Sequence, residues 1–172
     1  MHPETDRQCA DHITIREYRD ADWSAVCAVH DRARPDELRG SCDPRAFVPL
    51  AEEQDDAASF QRSRKFVACV GGQVVGFVGV DGTYLSWLYV DPASYGRGIG
   101  RQLLRWGVRR IGPQAWTVVL AGNTRARRLY AGEGFQVVHT FESVNAGYPC
   151  TCVQLALSPG ENPGEADHSG AA

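Results

Sequence analysis

Apolar positions along the chain follow two periods, and these periods predict its elements. Alternating or β-branched apolar runs predict seven strands, over residues 13–18, 66–70, 73–80, 83–90, 115–121, 135–141 and 151–157. Apolar residues at helical spacing predict helices that run from Asp20 or Asp22 through His30, and over 51–62, 98–111 and 123–133. The order β-α-(α)-β-β-β-α-β-α-β-β, without an internal repeat, predicts one α/β layer structure with a mixed sheet.

The periodic signal is not uniform. Between Arg34 and Lys65 it weakens, and Pro35, Gly40, Pro44 and Pro49 interrupt it. Polar ends flank the periodic part, so we expect a flexible leader over 1–11, one domain over 12–157 and a disordered tail over 158–172.

Composition narrows the class of protein. A length of 172 residues suits one domain, and a formal net charge of −3 with dispersed arginines gives little support to nucleic-acid binding. The chain has no run of 18 apolar residues and no leader typical of secretion, so we expect a cytoplasmic protein that does not bind membranes.

Six cysteines bear on metal binding and redox state. Cys150 and Cys152 should point to one face of a strand, where a two-thiolate metal site is conceivable. However, no Cys/His pair at zinc spacing accompanies them, so we expect reduced thiols and no metal site.

A glycine-rich turn between a predicted strand and helix is the clearest candidate for chemistry. In "LYVDPASYGRGIGRQLL", residues 88–104, glycines occupy positions 96, 98 and 100. Such a turn directs successive backbone N–H groups and a helix N-terminus toward one point, which suits paired phosphates. Glycine chosen only for its backbone angles is the alternative explanation. The spacing matches neither a nucleotide-binding P-loop nor a dinucleotide fingerprint.

Two motifs at matching spacing resemble the GNAT superfamily of N-acyltransferases. The first, "LYVDPASYGRGIG", matches the family signature at Leu88, Val90, Pro92, Gly98 and Gly100, with Tyr95 where Gln or Arg is usual. The second, "LAGNTRARRLYAGEGFQVV", matches at Asn123, Ala126, Tyr130, Gly134 and Phe135. The resemblance covers residues 13 to about 157 in element order and is specific over 85–141.

The resemblance implies a fold and a coenzyme. The fold is a mostly antiparallel mixed sheet of six or seven strands, flanked by helices, whose fourth strand splays from its neighbour. The co-substrate is acetyl-coenzyme A, with its pyrophosphate on the amides of 97–101 and its pantetheine arm along the fourth strand. The implied coenzyme contacts are Leu88, Tyr89, Val90, Tyr95, Gly96, Arg97, Gly98, Ile99, Gly100, Arg101, Asn123, Ala126 and Tyr130.

Catalytic roles follow from the same resemblance. The Leu88 N–H would polarise the thioester carbonyl, and Tyr130 would protonate the departing thiolate, because a phenol with a pKa near 10 stays protonated at neutral pH. Taken alone, Tyr130 also fits helix packing on the sheet. Asn123 also fits a helix N-cap, and the two roles of Asn123 are compatible.

The general base is not evident. Relatives often carry Glu or His where this chain has Tyr84 and Ser86, and neither residue is a good base at neutral pH. Waters held by these hydroxyls, or Asp81, His139 or Glu142, are alternatives, and each of these three also fits an ordinary polar residue at a strand end. An acceptor amine of low pKa would need little help.

The resulting hypothesis is an N-acetyltransferase that moves an acetyl group to a small-molecule primary amine by direct attack in a ternary complex. The alternatives are a catalytically silent acyl-coenzyme A-binding regulator and a protein N-terminal or lysine acetyltransferase. We expect the acceptor site at residues 34–65, at the edge near Tyr84, Ser86 and Trp87, and at a loop over 141–148, with Trp87, Tyr89 and Tyr148 as aromatic lining or as packing. A homodimer formed by pairing of last strands is compatible with this fold.

Overall fold

The computed structural model describes residues 12–54 and 56–160, so the predicted leader and residues 161–172 of the predicted tail lie outside it. Within this part the strands are β1 (Ile13–Glu17), β2 (Arg64–Val70), β3 (Gln73–Asp81), β4 (Tyr84–Val90), β5 (Trp116–Leu120), β6 (Gln136–Asn145) and β7 (Tyr148–Ala156). The α-helices are α1 (Trp23–Leu38), α2 (Ala57–Arg62), α3 (Ile99–Ile111) and α4 (Thr124–Gly132). The predicted element order is confirmed.

The strands form one seven-stranded sheet in the order β1-β2-β3-β4-β5-β7-β6. Every neighbouring pair is antiparallel except β4 and β5, which are parallel and share a single ladder pair, Tyr84 with Trp116. Beyond that pair the two strands separate. This confirms the mixed, mostly antiparallel sheet and its splayed fourth strand.

Each face of the sheet carries its own helices. Helices α3 and α4 cover one face through a core that includes Leu103, Leu104 and Tyr130. Helices α1 and α2 cover the other face through Val29, Phe60 and neighbours. Alternation along the strands supplies both cores, because successive side chains point to opposite faces. The predicted apolar stripe of α3 is confirmed by burial of Leu103 and Leu104.

A β-bulge in β4 changes which face its side chains meet. Gly79 pairs with Trp87, but Val80 pairs with Leu85, so Ser86 is an extra residue in β4. As a result Leu85 packs in the core under α3, whereas Trp87 and Tyr89 pack in the core under α1. The bulge lies where β4 leaves β5.

Several predicted boundaries were wrong in the middle of the chain. Helix α1 continues through Pro35 to Leu38, because one missing N–H does not outweigh the burial of Leu38 in the last turn. The helix predicted over 51–62 covers only Ala57–Arg62, after a short 3₁₀ turn at Leu50–Glu52. Local propensity in this segment is weak, so tertiary contacts decide where helix forms.

The loop predicted over 141–148 was also wrong. Strand β6 continues to Asn145, and strand β7 begins at Tyr148. The turn between them consists of Ala146 and Gly147, which both have positive φ. β6 is mostly exposed, so its polar residues hide the strand pattern. β7 is paired on both sides, so a dimer through the last strand does not fit, although a homodimer itself stays a prediction.

Other features of the described residues concern membranes and thiols. No helix in this part of the chain is long and apolar enough to cross a membrane. Cys150 and Cys152 do point to one face of β7, with their Sγ atoms 4.0 Å apart, and both are free thiols.

Candidate active site

A cavity of about 450 Å³ opens where β4 and β5 separate. Its walls come from β4 (Leu88 to Val90), from β5 (Thr117 to Val119), from the turn before α3, from α4 and from the last turns of α1. Loss of strand pairing thus exposes backbone and side chains of both strands to one space. Every coenzyme residue implied by the resemblance lines this cavity except Arg97.

The turn before α3 is shaped by glycine at two positions. Gly96 and Gly98 both have φ of +77°, and Gly98 is the N-cap of α3. A Cβ at either would meet nothing within 4 Å, so these glycines are required for their backbone angles and leave the turn uncovered. The free N–H groups at the start of α3 therefore face an open cradle with the positive end of the helix dipole.

Gly100 has a different role from its neighbours. A Cβ there would lie 3.4 Å from Leu129 Cδ2 and 3.7 Å from Val90 Cγ2. It therefore points into the contact of α3 with β4 and α4, not toward the cradle. Tyr95 closes the rim, with Arg125 stacked 3.6 Å from its ring centroid and its hydroxyl 3.4 Å from Asp36 Oδ2.

Asn123 caps α4 at the edge of the same cavity. Its Oδ1 accepts a hydrogen bond from the Ala126 N–H at 3.2 Å, which confirms the N-cap. Because both residues also line the cavity, the cap and a coenzyme contact are compatible here.

Tyr130 points from α4 toward the junction of β4 and β5. It is 3% exposed, and its hydroxyl lies near the Thr117 side chain. Thr117 Oγ1 in turn donates to the Leu85 carbonyl oxygen at 2.8 Å, next to the bulge. Burial raises the pKa of Tyr130, so its phenol stays protonated at neutral pH and is a proton donor and not a base.

The two β4 hydroxyls have different surroundings. Ser86 lines the cavity, and its Oγ lies 2.7 Å from Ser63 Oγ, which donates to the Ser59 carbonyl. Tyr84 lies outside the lining and stacks on Trp116 with ring centroids 4.5 Å apart. Burial raises the pKa of Tyr84, which makes the phenolate scarce at neutral pH.

The alternative bases named from the sequence lie elsewhere. Asp81 pairs with Arg62 at 3.4 Å, and Glu142 accepts a hydrogen bond from Thr151 at 2.9 Å. His139 is exposed on β6 beside Phe141. None of these three residues lines the cavity, and the structure does not bring them together.

The aromatic residues named for an acceptor site have separate positions. Trp87 is 1% exposed within the core under α1. Tyr148 packs with Arg45 over its ring at 5.2 Å. Only Tyr89 also lines the cavity.

A buried polar group on α1 was missed by sequence reasoning. The Tyr89 hydroxyl donates to Glu37 Oε2 at 2.6 Å, and Arg34 Nη1 lies 2.6 Å from the same oxygen. Burial raises the pKa of Tyr89 well above its usual value. The i, i+3 spacing of Arg34 and Glu37 was a visible signal for a helix pair, but nothing local placed it beside β4.

Comparisons with known proteins agree with this geometry. The family profile described as "Acetyltransferase (GNAT) domain" matches residues 61–137. The chain is 28% identical over 96 residues to "Uncharacterized N-acetyltransferase YafP" of Escherichia coli (strain K12), covering 55% of this chain and 64% of that protein. It is 32% identical over 84 residues to "Peptidyl-lysine N-acetyltransferase YjaB" of the same organism, covering 49% and 56%. The matches thus span less than two thirds of either relative.

A solved structure adds fold similarity. The PaiA N-acetyltransferase of Thermoplasma acidophilum, in complex with coenzyme A, superposes with a TM-score of 0.63 at 15% identity, covering 83% of this chain and 98% of that one. The splayed sheet, the glycine turn and the buried tyrosine define an acetyltransferase-type domain. Over residues 61–137 the chain matches the GNAT superfamily of N-acetyltransferases, and its fold is the fold of that family.

Proposed function

We propose that this protein transfers the acetyl group of acetyl-coenzyme A to a primary amine of a small molecule, by direct attack in a ternary complex. The observation that carries the proposal is the meeting of a phosphate-type cradle and a buried proton donor on one cavity. The uncovered turn at Gly96 and Gly98 lies at one end, and the Tyr130 phenol lies at the β4–β5 junction.

The cradle fits a diphosphate by charge and shape. The first N–H groups of α3 lack helical partners, and the missing Cβ atoms let phosphate oxygens approach them. Arg101 and Arg125 line the same cavity and add positive charge at its rim. The solved coenzyme A complex of the Thermoplasma relative supports this assignment by analogy of fold.

The unpaired stretch of β4 suits the pantetheine arm. After Tyr84, β4 has no ladder partner in β5, so backbone groups of Leu88 and Val90 are available to a ligand that lies as an extra strand. When bound, the coenzyme supplies an activated acyl group as a thioester. The Leu88 N–H would stabilise the negative charge that develops on the carbonyl oxygen, and Tyr130 would give its proton to the departing sulfur.

The small-molecule acceptor is supported by the way the cavity is bounded. The segment after α1 packs on the β5–α4 turn so closely that a Cβ at Gly122 would lie 2.3 Å from the Gly40 carbonyl oxygen. Helix α1 walls the acceptor side of the cavity through Ala33, Asp36 and Glu37. A peptidyl-lysine acceptor is the second candidate, because the similar protein YjaB is described as a peptidyl-lysine N-acetyltransferase.

Calorimetry with coenzyme A and release of free thiol from acetyl-coenzyme A test this proposal together. We expect coenzyme binding, and turnover with small primary amines exceeding turnover with lysine peptides or α-amino peptides. Higher turnover with peptides would favour a protein acetyltransferase, and binding without turnover of any acceptor would favour a regulator. Absence of coenzyme binding would refute the proposal.

A further inference from the structure

The acceptor side of the cavity carries a carboxylate that no role above uses. Glu37 lies in the last turns of α1, its side chain is 12% exposed, and it lines the same cavity as Leu88 and Tyr130. Among the described acidic residues, only Glu37 and its neighbour Asp36 line this cavity.

The two oxygens of Glu37 are not equivalent. Oε2 receives both the Tyr89 hydroxyl and the Arg34 guanidinium, each at 2.6 Å. Within the described part of the chain, Oε1 has no hydrogen-bond donor, and it is not one of the sealed, unpartnered atoms of the interior. A carboxylate that served only as a counter-ion would commonly use both oxygens against an arginine fork.

The partners of Glu37 hold its side chain in place. The Arg34 side chain, on α1, is 5% exposed, and Tyr89 is buried in β4. Their two contacts immobilise the side chain, so the free oxygen Oε1 keeps one orientation without further loss of entropy on binding.

Charge is distributed along the cavity in a way that distinguishes its two ends. The start of α3 carries the positive end of its helix dipole and has Arg125 beside it, whereas the end near Tyr130 presents the Glu37 carboxylate, whose charge Arg34 offsets in part. Burial is the main cause of the raised pKa of Tyr130, and the charge of Glu37 adds to it. Asp36 differs, because its oxygens already contact Arg39 and Tyr95.

We propose that Glu37 Oε1 is the docking point for the positively charged ammonium group of the acceptor. This inference rests on the proposed function and narrows its acceptor to amines that bind in the cationic form. A carboxylate favours the protonated amine, so the contact selects and orients the acceptor and does not help to deprotonate it. Loss of the contact should therefore raise KM for the acceptor much more than it lowers kcat.

The test uses n-butylammonium as a probe on the 172-residue chain saturated with coenzyme A. We expect n-butylammonium chloride to raise the Tm relative to equal sodium chloride, 1-butanol to raise it less, and Glu37→Gln to lose the ammonium response. For any amine that turns over, KM should rise about tenfold or more in Glu37→Gln, the usual loss for one charge-assisted hydrogen bond. An equal response in wild type and Glu37→Gln, or none in wild type, would overturn the inference.

Two matched variants separate position from charge. Glu17→Gln makes the same chemical change on β1, where the carboxylate pairs with Arg64 outside the cavity, and should keep the ammonium response. Asp36→Asn makes the equivalent change at the adjacent residue and should also keep it. A response lost in Asp36→Asn but kept in Glu37→Gln would overturn the assignment.

Two controls distinguish loss of the Glu37 site from misfolding and from failure of the proposed function. Glu37→Gln leaves Arg34 buried without a counter-charge, so the double variant Arg34→Met with Glu37→Gln serves if the single variant does not fold. Both should bind coenzyme A with wild-type affinity, because the cradle lies at the other end of the cavity. Wild type that binds coenzyme A without an ammonium response refutes only the Glu37 site, whereas wild type that does not bind coenzyme A refutes the proposed function itself.

Discussion

The two ends of the cavity are built by different means. At the coenzyme end, residues close in sequence produce the cradle. Gly96 and Gly98 have positive φ, and Gly98 is the N-cap of α3. At the acceptor end, the contacts join residues far apart in sequence, such as Tyr89 with Glu37 and Ser86 with Ser63. One end depends on backbone conformation and the other on side-chain packing between elements.

This difference has a physical consequence for specificity. Backbone N–H groups bind any ligand with the right phosphate geometry, so the coenzyme end tolerates changes in surrounding side chains. A side-chain network such as Glu37, Arg34 and Tyr89 is altered by single substitutions. We therefore expect substitutions at the two ends to affect different measured quantities.

The largest expected effect is on the proton donor between the two ends. Tyr130→Phe removes the phenolic oxygen but keeps the ring that packs against Phe135. We expect kcat to fall by about 10²–10⁴, the usual range for a general acid. The Kd for acetyl-coenzyme A should stay within about twofold, because the cradle is untouched. Assays of thiol release measure kcat, and calorimetry measures the Kd for acetyl-coenzyme A.

A matched variant checks that the loss is specific. Tyr18→Phe makes the same change at a tyrosine that packs on Phe60 under α1, outside this cavity. It should leave kcat near wild type. Parallel loss of kcat and coenzyme affinity in Tyr130→Phe would mean that Tyr130 is structural.

A smaller effect is expected at the cradle. Gly98→Val places a β-branched residue at φ of +77°, which costs roughly 1–3 kcal/mol of backbone strain if the turn keeps its shape. The turn should relax instead, and the Kd for coenzyme A should rise about 5- to 100-fold. Calorimetry measures this change, and Gly98→Asn should lose less affinity, because Asn tolerates positive φ better.

The control for this substitution uses a second glycine with the same conformation. Gly72 has φ of +79° in the turn between β2 and β3, with open space around it. Gly72→Val should cause a similar backbone strain and so lower the free energy of unfolding. It should leave the Kd for coenzyme A unchanged. If Gly98→Val also bound coenzyme A normally, the backbone of this turn would not be the phosphate site.

The sequence was informative where local rules decide structure. The order of elements along the chain, helix α3 and the N-cap at Asn123 follow from periodicity, glycine and capping, which act over a few residues. Helix α1 past Pro35 and the extended β6–β7 hairpin were missed, because burial of Leu38 and strand pairing outweigh weak local signals.

The candidate site divides in the same way. Gly98 was identified from the glycine pattern of its turn, and Tyr130 from the resemblance of its motif to the GNAT family. Glu37 could not be identified in either way, because its relevance depends on Tyr89, 52 positions away, and on a β-bulge at Ser86 that sets which face Tyr89 meets. Such contacts exist only once the sheet has formed.

The smallest expected effect concerns the buried histidine beneath the acceptor end. His30 is 4% exposed, its Nδ1 lies 2.8 Å from Asp31 Oδ1, and its ring lies 4.9 Å from that of Tyr89. Burial lowers the pKa of His30 despite the opposing effect of Asp31.

The lowered pKa makes the stability of the protein depend on pH. The folded protein keeps His30 neutral at pH values where the unfolded chain protonates it. The contribution of His30 to stability is therefore full above about pH 6.5 and declines as the pH falls through that value toward the folded pKa. We expect a slope of up to about 1.4 kcal/mol per pH unit in urea unfolding as the pH falls below about 6.5, absent in His30→Phe and retained in the exposed control His139→Asn. Parallel curves for wild type and His30→Phe would contradict a neutral His30.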